Sequence, residues 1–373
     1  MEKYILIHYS EIGLKGKNRE FFEKKLMKSI EQVLNCKVFR IYGRLLAKSN
    51  FEEEIIIDKL GLLPGIANFS FCYKVSNDIE KIKEVALEIA KNSKEKNFKV
   101  ETKQSVKFDY GTQKVNEIIG EEIRIKANKE VNLSNPEFMI YIEITEKGSF
   151  IYRDKFSGIG GLPIGVSGKV VALISGGIDS PVASFLAMKR GCEIIGLHFY
   201  NETLSKPEKI YEIAKILKKI QPKLKFYFTP FGEIQREIIS KVNSRYRMII
   251  YRRVMNRIAE KVAKREKAKA IISGDSLGQV ASQTLRNMSV INESINLLIL
   301  KPLISYNKQE IIEIAKKIGT YEFSIKPYQD CCSFLISKHP ITRAKIEIIK
   351  EIEKNLNLKL EEKALKNGKV INF

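Results

Sequence analysis

A polar turn that begins at Ser175 concentrates groups able to bind an anion. It reads Ser-Gly-Gly-Ile-Asp-Ser, and its adjacent glycines, Gly176 and Gly177, have no Cβ. Successive backbone N–H groups can therefore point into one concavity. The hydroxyls of Ser175 and Ser180 add donors, and a following helix would add the partial positive charge of its N-terminus. The pattern predicts a phosphate site, with Asp179 able to hold Mg²⁺ or steer the reacting group.

The segments on either side of the turn must position it. The apolar run at 170–174 is rich in β-branched residues, which is typical of a strand buried on both faces of a parallel sheet. Pro181 opens a helical pattern that continues to Arg190, and Ser180 is a candidate N-cap. We therefore predict a strand, a phosphate-binding turn and a helix in direct succession.

The turn is not one of two familiar nucleotide-binding loops. The chain contains no Walker A motif, and no Gly-x-Gly-x-x-Gly follows this strand. The turn resembles instead the Ser-Gly-Gly-x-Asp-Ser signature of the ATP-pyrophosphatase (PP-loop) superfamily. That resemblance implies that ATP binds through its β- and γ-phosphates, is cleaved between the α- and β-phosphates, and adenylates a substrate oxygen. The alternative is an ordinary glycine turn in an α/β domain.

Composition limits the class of protein. The 373 residues are 44% hydrophobic, enough for about two or three domains with packed cores. Lys and Arg (65) exceed Asp and Glu (44) by 21, which favours a polyanionic partner such as nucleic acid. Five scattered cysteines indicate a reducing compartment, so we expect a cytoplasmic protein. We recognise no membrane span and no signal peptide.

The first half of the chain alternates strand and helix patterns whose strands return to one sheet. A basic turn at 13–19 is explained equally well as a phosphate contact or as a solvated loop. Phe108 and Tyr110, beside Lys107, could stack on single-stranded RNA, although packing in the core is the alternative. Five glycines at 157–168 indicate tight turns and a domain boundary.

The second half alternates strands and helices as in a doubly wound parallel sheet. The predicted strands lie at 170–174, 193–200, 225–229 and 270–273. A polar helix start at 278–284 follows the last of these. Because ligands gather at the carboxyl ends of such strands, we expect three polar strand ends to face one crevice. These strand ends are 175–180, 198–199 and 274–283.

Five segments carry a resemblance that spans nearly the full length of the chain. They are 10–19, 160–165, 174–182, 273–285 and 318–332. In these segments the chain resembles the tRNA 4-thiouridine synthetase family, the tRNA uridine 4-sulfurtransferases. The resemblance implies ATP-dependent adenylation of O4 of the uridine at tRNA position 8, followed by replacement of that oxygen with sulfur.

The resemblance also implies a multidomain α+β and α/β fold. We assign a ferredoxin-like domain to residues 1–52 and a THUMP RNA-binding domain to residues 53–156. Residues 157–168 form the glycine-rich linker, and residues 169–373 form the PP-loop domain. The two forward domains are expected to hold the acceptor end of tRNA.

Site residues follow from the same resemblance, position by position. The implied ATP contacts are Leu173, Ile174, His198, Phe199, Arg252, Gly274 and Gln283, with pyrophosphate held by Ser175, Gly176, Gly177, Asp179 and Ser180. Lys308 matches a lysine implied in adenylation. Taken singly, Arg252 and Lys308 would be assigned to solvated helix faces, and His198 to a core or capping role. We predict ATP and Mg²⁺ as cofactors and no dedicated metal-ligand cluster.

Cys331 and Cys332 are adjacent, and the family places its catalytic cysteine here. Sulfur transfer needs a thiolate, and Cys is the side chain suited to it. The sequence leaves open which of the two carries sulfur. Cys36, Cys72 and Cys192 stand in apolar stretches and are predicted to be core residues.

The sulfur source is expected to be a partner protein. Longer family members carry a C-terminal rhodanese-like domain, whereas this sequence ends at Phe373 after a basic helical tail. We expect a cysteine desulfurase to deliver persulfide sulfur directly to Cys331 or Cys332. A thiamine-thiazole role that rests on the rhodanese domain is in doubt, and the resemblance suggests a homodimer.

The sequence is compatible with two other functions. A different PP-loop enzyme, such as a 2-thiouridylase or an amide-forming ligase, would keep Asp179 but have no use for a THUMP-like half. A catalytically idle RNA-binding protein would bind tRNA without consuming ATP.

Overall fold

A computed structural model describes residues 2–204, 207–329, 331 and 337–373. They form two compact units, Met1–Pro163 and Ile164–Phe373. No helix in the described ranges combines the length and the apolar character needed to cross a membrane.

The first unit is built on one mixed sheet. Its elements are β1 (Lys3–Tyr9), a 3₁₀ stretch (Glu11–Asn18), α1 (Arg19–Leu34), β2 (Val38–Ile41), β3 (Arg44–Ala47), α2 (Glu53–Gly61), β4 (Ile66–Val75), α3 (Ile79–Lys91), β5 (Asn97–Gln104), α4 (Thr112–Lys126), β6 (Glu130–Val131), β7 (Phe138–Thr145), β8 (Gly148–Tyr152) and β9 (Phe156–Ser157). The strand order is β2-β3-β1-β4-β8-β7-β5-β6, and β9 also pairs with β4. β5 runs parallel to β6 and β7, and the other pairs are antiparallel.

Alternation along the strands gives this sheet two apolar faces. On β1, Ile5 and Ile7 join a core with α1, whereas Leu6 joins a cluster on the opposite face with Cys72 and Phe150. This is the period of two that strand geometry imposes on side chains. Another core lies between α3, α4 and the strands β5 and β7.

The glycine-rich segment begins as part of this sheet. The amide of Gly158 donates to the carbonyl of Ala67 at 2.9 Å, and that of Gly160 donates to Ile66 at 2.8 Å. A Cβ at Gly158 would overlap the carbonyl of Ile66, so glycine permits this close approach. The domain bounds drawn from the sequence stay predictions.

The second unit has a sheet with helices between its strands. Its elements are β10 (Lys169–Leu173), α5 (Asp179–Lys189), β11 (Glu193–Tyr200), α6 (Glu208–Ile220), β12 (Lys225–Pro230), α7 (Gly232–Lys241), α8 (Ser244–Glu266), β13 (Ala270–Ile272), a 3₁₀ turn (Ala281–Gln283), α9 (Leu285–Asn292), β14 (Leu298–Leu300), α10 (Lys308–Lys317), α11 (Tyr321–Ser324), α12 (Ile346–Lys354), α13 (Lys359–Lys366) and β15 (Lys369–Asn372). The order is β14-β13-β10-β11-β12-β15, parallel except that β15 runs antiparallel to β12. The predicted doubly wound parallel sheet is confirmed.

Two predicted helix starts are wrong. The helix after the glycine turn begins at Asp179 rather than Pro181. The polar segment at 278–284 contains a 3₁₀ turn, and α9 begins only at Leu285. There the side chain of Thr284 accepts a hydrogen bond from the amide of Asn287, which caps the helix.

Candidate active site

The carboxyl ends of β10, β11 and β13 meet at a cavity of about 290 Å³. Parallel pairing of β10 with both neighbours brings these ends together, as predicted from the strand pattern. Predicted site residues on its wall are Leu173, Ile174, Ser175, Asp179, Ser180, His198, Phe199, Arg252, Gly274, Gln283 and Cys331. Residues far apart in the sequence therefore share one cavity.

Ser180 closes the turn between β10 and α5 and does not cap the helix. Its Oγ accepts a hydrogen bond from the amide of Ser175 at 2.8 Å, and the two hydroxyl oxygens lie 3.1 Å apart. The amide of Gly177 donates to Oγ of Ser175 at 3.3 Å. The prediction of Ser180 as N-cap is wrong, because its side chain bonds backward across the loop while α5 starts at Asp179. We call residues 175–180 the phosphate loop.

Gly274 lets the end of β13 press against the start of α5. A Cβ there would lie 2.9 Å from the amide nitrogen of Ser180 and 3.0 Å from its Cα. Both are backbone atoms that cannot swing aside as a side chain would. Gly274 therefore fixes the distance between the phosphate loop and the neighbouring strand end.

Asp179 is held by two polar side chains from later in the chain. Nζ of Lys308 lies 2.5 Å from Oδ1, and Nε2 of Gln279 donates to Oδ2 at 2.8 Å. Lys308 is the first residue of α10, whose start is fixed by a capping box between Asn307 and Glu310. The carboxylate thus faces a cation at the mouth of the phosphate loop.

Arg252 is paired, largely buried and on the cavity wall, so the alternative of a solvated helix face does not apply to it. Its guanidinium donates to Oδ1 of Asp275 at 2.5 Å, and Nζ of Lys301 lies 3.8 Å from Oδ2. Burial would raise the pKa of Asp275, but Arg252 and Lys301 outweigh it and hold that pKa below its usual value. Asp275 therefore stays ionised and fixes the guanidinium at the cavity wall.

His198 is a neutral connector between two segments. Burial lowers its pKa to about 4. Nδ1 lies 2.8 Å from the carbonyl of Ile174, and Nε2 lies 2.9 Å from the hydroxyl of Tyr328. Because a carbonyl can only accept, Nδ1 carries the proton and Nε2 accepts from Tyr328. Across the described ranges, no group of three or more His, Cys, Asp or Glu side chains is arranged to hold a metal ion.

Cys331 lies in the same cavity as Asp179 and is 3% exposed. Its thiol donates to the carbonyl of Phe199 at 3.4 Å. Its own carbonyl accepts from Nε2 of Gln235 at 2.7 Å, and Gln235 in turn accepts from Asn201 at 2.7 Å. A buried amide chain therefore holds the cysteine backbone beside the end of β11.

The structure describes three of the other four cysteines. Cys332 lies outside the described residues. Cys72 and Cys192 are buried and Cys36 is half-buried, in agreement with the predicted core positions. Burial raises the pKa of all three thiols, which suits packing better than reactivity.

The basic turn at 13–19 and the aromatic pair Phe108 and Tyr110 are each compatible with an RNA contact and with a purely structural role. The basic turn forms part of the 3₁₀ stretch, and Lys17 and Arg19 line a surface hollow there. Phe108 packs partly against a core, whereas Tyr110 is 38% exposed and meets Phe108 edge-on at 6.1 Å. Of these two rings, Tyr110 is therefore the one with an exposed face for stacking.

Sequence reasoning missed four residues that hold the site together. Asp275 directly follows a predicted strand, and Gln279 and Tyr328 stand in segments that carry the family resemblance, so position gave some signal for these three. Gln235 gave none, because a glutamine inside a helical pattern is ordinarily assigned to the solvent face. Its complete burial became apparent only from the packing of α7.

Comparisons with family descriptions cover both units. Residues 165–358 match the family described as "Thiamine biosynthesis protein (ThiI)". Residues 4–70 match the ThiI ferredoxin-like domain, and residues 76–154 match the THUMP domain.

Curated relatives match this chain over nearly its whole length. The probable tRNA sulfurtransferase of Caldanaerobacter subterraneus subsp. tengcongensis is 39% identical over 366 residues, which cover 96% of each chain. That of Acetivibrio thermocellus is 39% identical over 388 residues, covering 100% of this chain and 99% of the relative. A crystal structure of a 4-thiouridine synthetase–RNA complex with bound ATP superimposes with a TM-score of 0.92, at 38% identity and with 100% of both chains covered.

Proposed function

Because the chain belongs to the ThiI family of tRNA sulfurtransferases, we propose that it uses ATP to convert uridine 8 of tRNA to 4-thiouridine. Membership confirms the expected architecture of ferredoxin-like, THUMP and PP-loop parts. The observation that carries the proposal is the single cavity where the phosphate loop and Cys331 meet. One site can then activate the uridine and deliver sulfur to it.

ATP is proposed to lie with its base against the apolar wall and its phosphates on the loop. Leu173, Ile174 and Phe199 supply an apolar, aromatic slot at the strand ends. Backbone amides of the phosphate loop and the N-terminus of α5 face the β- and γ-phosphates. Arg252, fixed by Asp275, adds a charged fork for a phosphate oxygen. The bound ATP of the similar 4-thiouridine synthetase structure supports this proposal.

The residues present suit an Mg²⁺ ion that is held by the Asp179 carboxylate together with substrate phosphates, rather than by a full set of protein ligands. Mg²⁺ usually keeps several waters and takes one or two carboxylates together with substrate phosphates. Asp179, at the mouth of the phosphate loop, is the residue that would hold it. Bound there, the ion would neutralise phosphate charge. Lys308 would supply a second positive charge as pyrophosphate leaves.

The proposed reaction has three bond exchanges. The uridine O4 attacks the α-phosphorus, the bond from that phosphorus to the β-phosphate bridging oxygen breaks, and pyrophosphate leaves. The terminal sulfur of a cysteine persulfide then attacks C4, and AMP leaves with the former O4. A second thiolate attacks the cysteine sulfur, which releases 4-thiouridine and leaves a disulfide for an external thiol to reduce.

Cys331, which the structure describes, is the proposed persulfide carrier. Cys332 is either the alternative carrier or the second thiol. Because Cys331 is buried, its position protects a persulfide from water and from competing thiols. A cysteine desulfurase is the proposed donor of that sulfur.

The first unit is proposed to bind tRNA. The excess of 21 basic residues gives the chain a strong attraction for phosphate backbones. The THUMP match and the RNA in the similar structure support RNA binding, and we propose that the acceptor end of tRNA is the part bound. We retain a homodimer and a cytoplasmic location as parts of the proposal.

The test is a reaction of unmodified tRNA with ATP, Mg²⁺, a persulfide donor and a thiol reductant. We expect AMP to form together with the near-ultraviolet absorbance of 4-thiouridine. Sulfur on C2 would favour a 2-thiouridylase, and tRNA binding without AMP would favour an idle RNA-binding protein.

A further inference from the structure

Tyr328 contacts the phosphate loop three residues before the thiol at Cys331. Its ring lies against the backbone of Gly176, where a Cβ would come 2.5 Å from Cδ1. The ring therefore occupies space that a side chain at position 176 would need. The proposed reaction uses the loop and the thiol, but assigns Tyr328 no part.

The donor in the hydrogen bond between Tyr328 and His198 is defined by the tautomer of the histidine. His198 is neutral, and its Nδ1 donates to Ile174, so the Tyr328 hydroxyl donates its proton to Nε2 at 2.9 Å. Ile174 directly precedes the phosphate loop. One hydrogen-bond relay thus runs from the start of the loop through His198 to the cysteine-bearing segment.

Other contacts anchor this segment on both sides of Tyr328. Nζ of Lys209 donates to the carbonyls of Ser324 and Lys326, at 2.8 and 2.6 Å. Gln235 holds the carbonyl of Cys331 on the far side. These anchors belong to α6 and α7, so Tyr328 adds a connection to the phosphate loop itself.

We propose that Tyr328 is a positioning residue that keeps the Cys331 thiol in register with the phosphate loop. The inference rests on the proposed function. Without the ring and hydroxyl contacts, adenylation continues, but the sulfur is presented to C4 less often. An adenylate that receives no sulfur is hydrolysed by water, which releases AMP without 4-thiouridine. The predicted signature is a fall in 4-thiouridine formed per AMP.

The test compares Tyr328→Phe, which removes the hydroxyl, with Tyr328→Ala, which also removes the ring. Tyr321→Phe is the matched control, because Tyr321 lies on α11 and its ring faces Lys316. AMP and 4-thiouridine are measured in the same reactions, together with KM for ATP and the melting temperature. Tyr328→Phe can be read even if Tyr328→Ala fails to fold.

We expect the yield of 4-thiouridine per AMP to fall about 3- to 10-fold in Tyr328→Phe, the range expected for one lost hydrogen bond. The fall should be larger in Tyr328→Ala, while KM for ATP stays within about twofold. An unchanged ratio in Tyr328→Phe, or equal losses of AMP and 4-thiouridine, would overturn the positioning role. A wild-type protein that makes AMP but no 4-thiouridine would instead refute the proposed function.

Discussion

Nζ of Lys308 lies 2.5 Å from Oδ1 of Asp179, although 129 residues separate the two along the chain. Each is the first residue of its helix, α10 and α5 respectively, and the two helices pack together. A carboxylate suits a helix N-terminus, whereas a lysine there opposes the helix dipole. The two helix N-termini and Lys308 together outweigh the charge of Asp179, which favours binding of a phosphate chain at this corner.

Asp179→Asn should lower AMP formation at least about 100-fold, since the charge that would hold Mg²⁺ is lost while the side-chain shape is kept. AMP release from unmodified tRNA and ATP is the measurement. Affinity for tRNA serves as the control and should be unchanged, because the proposed RNA contacts lie in the first unit. AMP formation near the wild-type rate would remove Asp179 from the mechanism.

Gly274→Ala should weaken ATP binding about tenfold or more. The added Cβ would meet backbone atoms of Ser180 at 2.9–3.0 Å, so the phosphate loop must shift. Gly111→Ala is the matched control, because a Cβ there meets no atom within 4 Å. Calorimetric titration with a non-hydrolysable ATP analogue compares the variants. Equal affinity in both would show that the loop tolerates displacement.

Separate Cys331→Ser and Cys332→Ser variants should distinguish the sulfur carrier from the second thiol. Replacing both should block 4-thiouridine formation, while AMP still appears through hydrolysis of the adenylate. After mixing with a cysteine desulfurase, mass spectrometry of the peptide should locate the added sulfur. Normal thiolation by the double variant would refute the carrier assignment.

Glu143→Gln should destabilise the first unit in a pH-dependent manner. Burial would raise the pKa of Glu143, but His8, Arg44 and Tyr152 outweigh it and bring the pKa to about 2. His8 and Arg44 lie 2.9 and 2.8 Å from its carboxylate oxygens. Since the folded pKa is depressed from 4.5, the carboxylate stabilises the fold above pH 4.5 and loses this effect as pH falls toward 2.

The wild type should therefore exceed Glu143→Gln in unfolding free energy by about 3 kcal/mol at pH 7, and the gap should narrow between pH 4.5 and 2. Urea denaturation across this range measures the gap. Glu117→Gln, at an exposed position on α4, is the control and should show little effect. A gap that stays constant with pH would mean that Glu143 acts through packing rather than charge.

Local sequence predicted the elements whose signal is long and periodic. The strand at Glu193–Tyr200 was placed without error, and the phosphate loop was recognised because all its groups are contiguous. The short edge strands Leu298–Leu300 and Lys369–Asn372 were missed. They carry exposed or half-buried side chains, so neither shows the continuous burial pattern of a central strand.

The parts of the site that the sequence did not predict depend on contacts between residues that are distant along the chain. Nothing near Arg252 in the sequence shows that Asp275 will bury and fix its guanidinium. Likewise, the role of Gln235 depends on Cys331, which lies 96 residues away along the chain. The family resemblance supplied positions that composition and spacing could not, but it did not supply these supporting contacts.

We propose that the uridine O4 is adenylated in the cavity that also holds the sulfur-bearing cysteine. A tRNA that carries ¹⁸O at O4 of uridine 8 reports on this step. Mass spectrometry of the AMP formed during thiolation then follows that oxygen. We predict one ¹⁸O atom in each AMP released with 4-thiouridine. Unlabelled AMP, formed while 4-thiouridine accumulates, would show that O4 is not the oxygen that is adenylated.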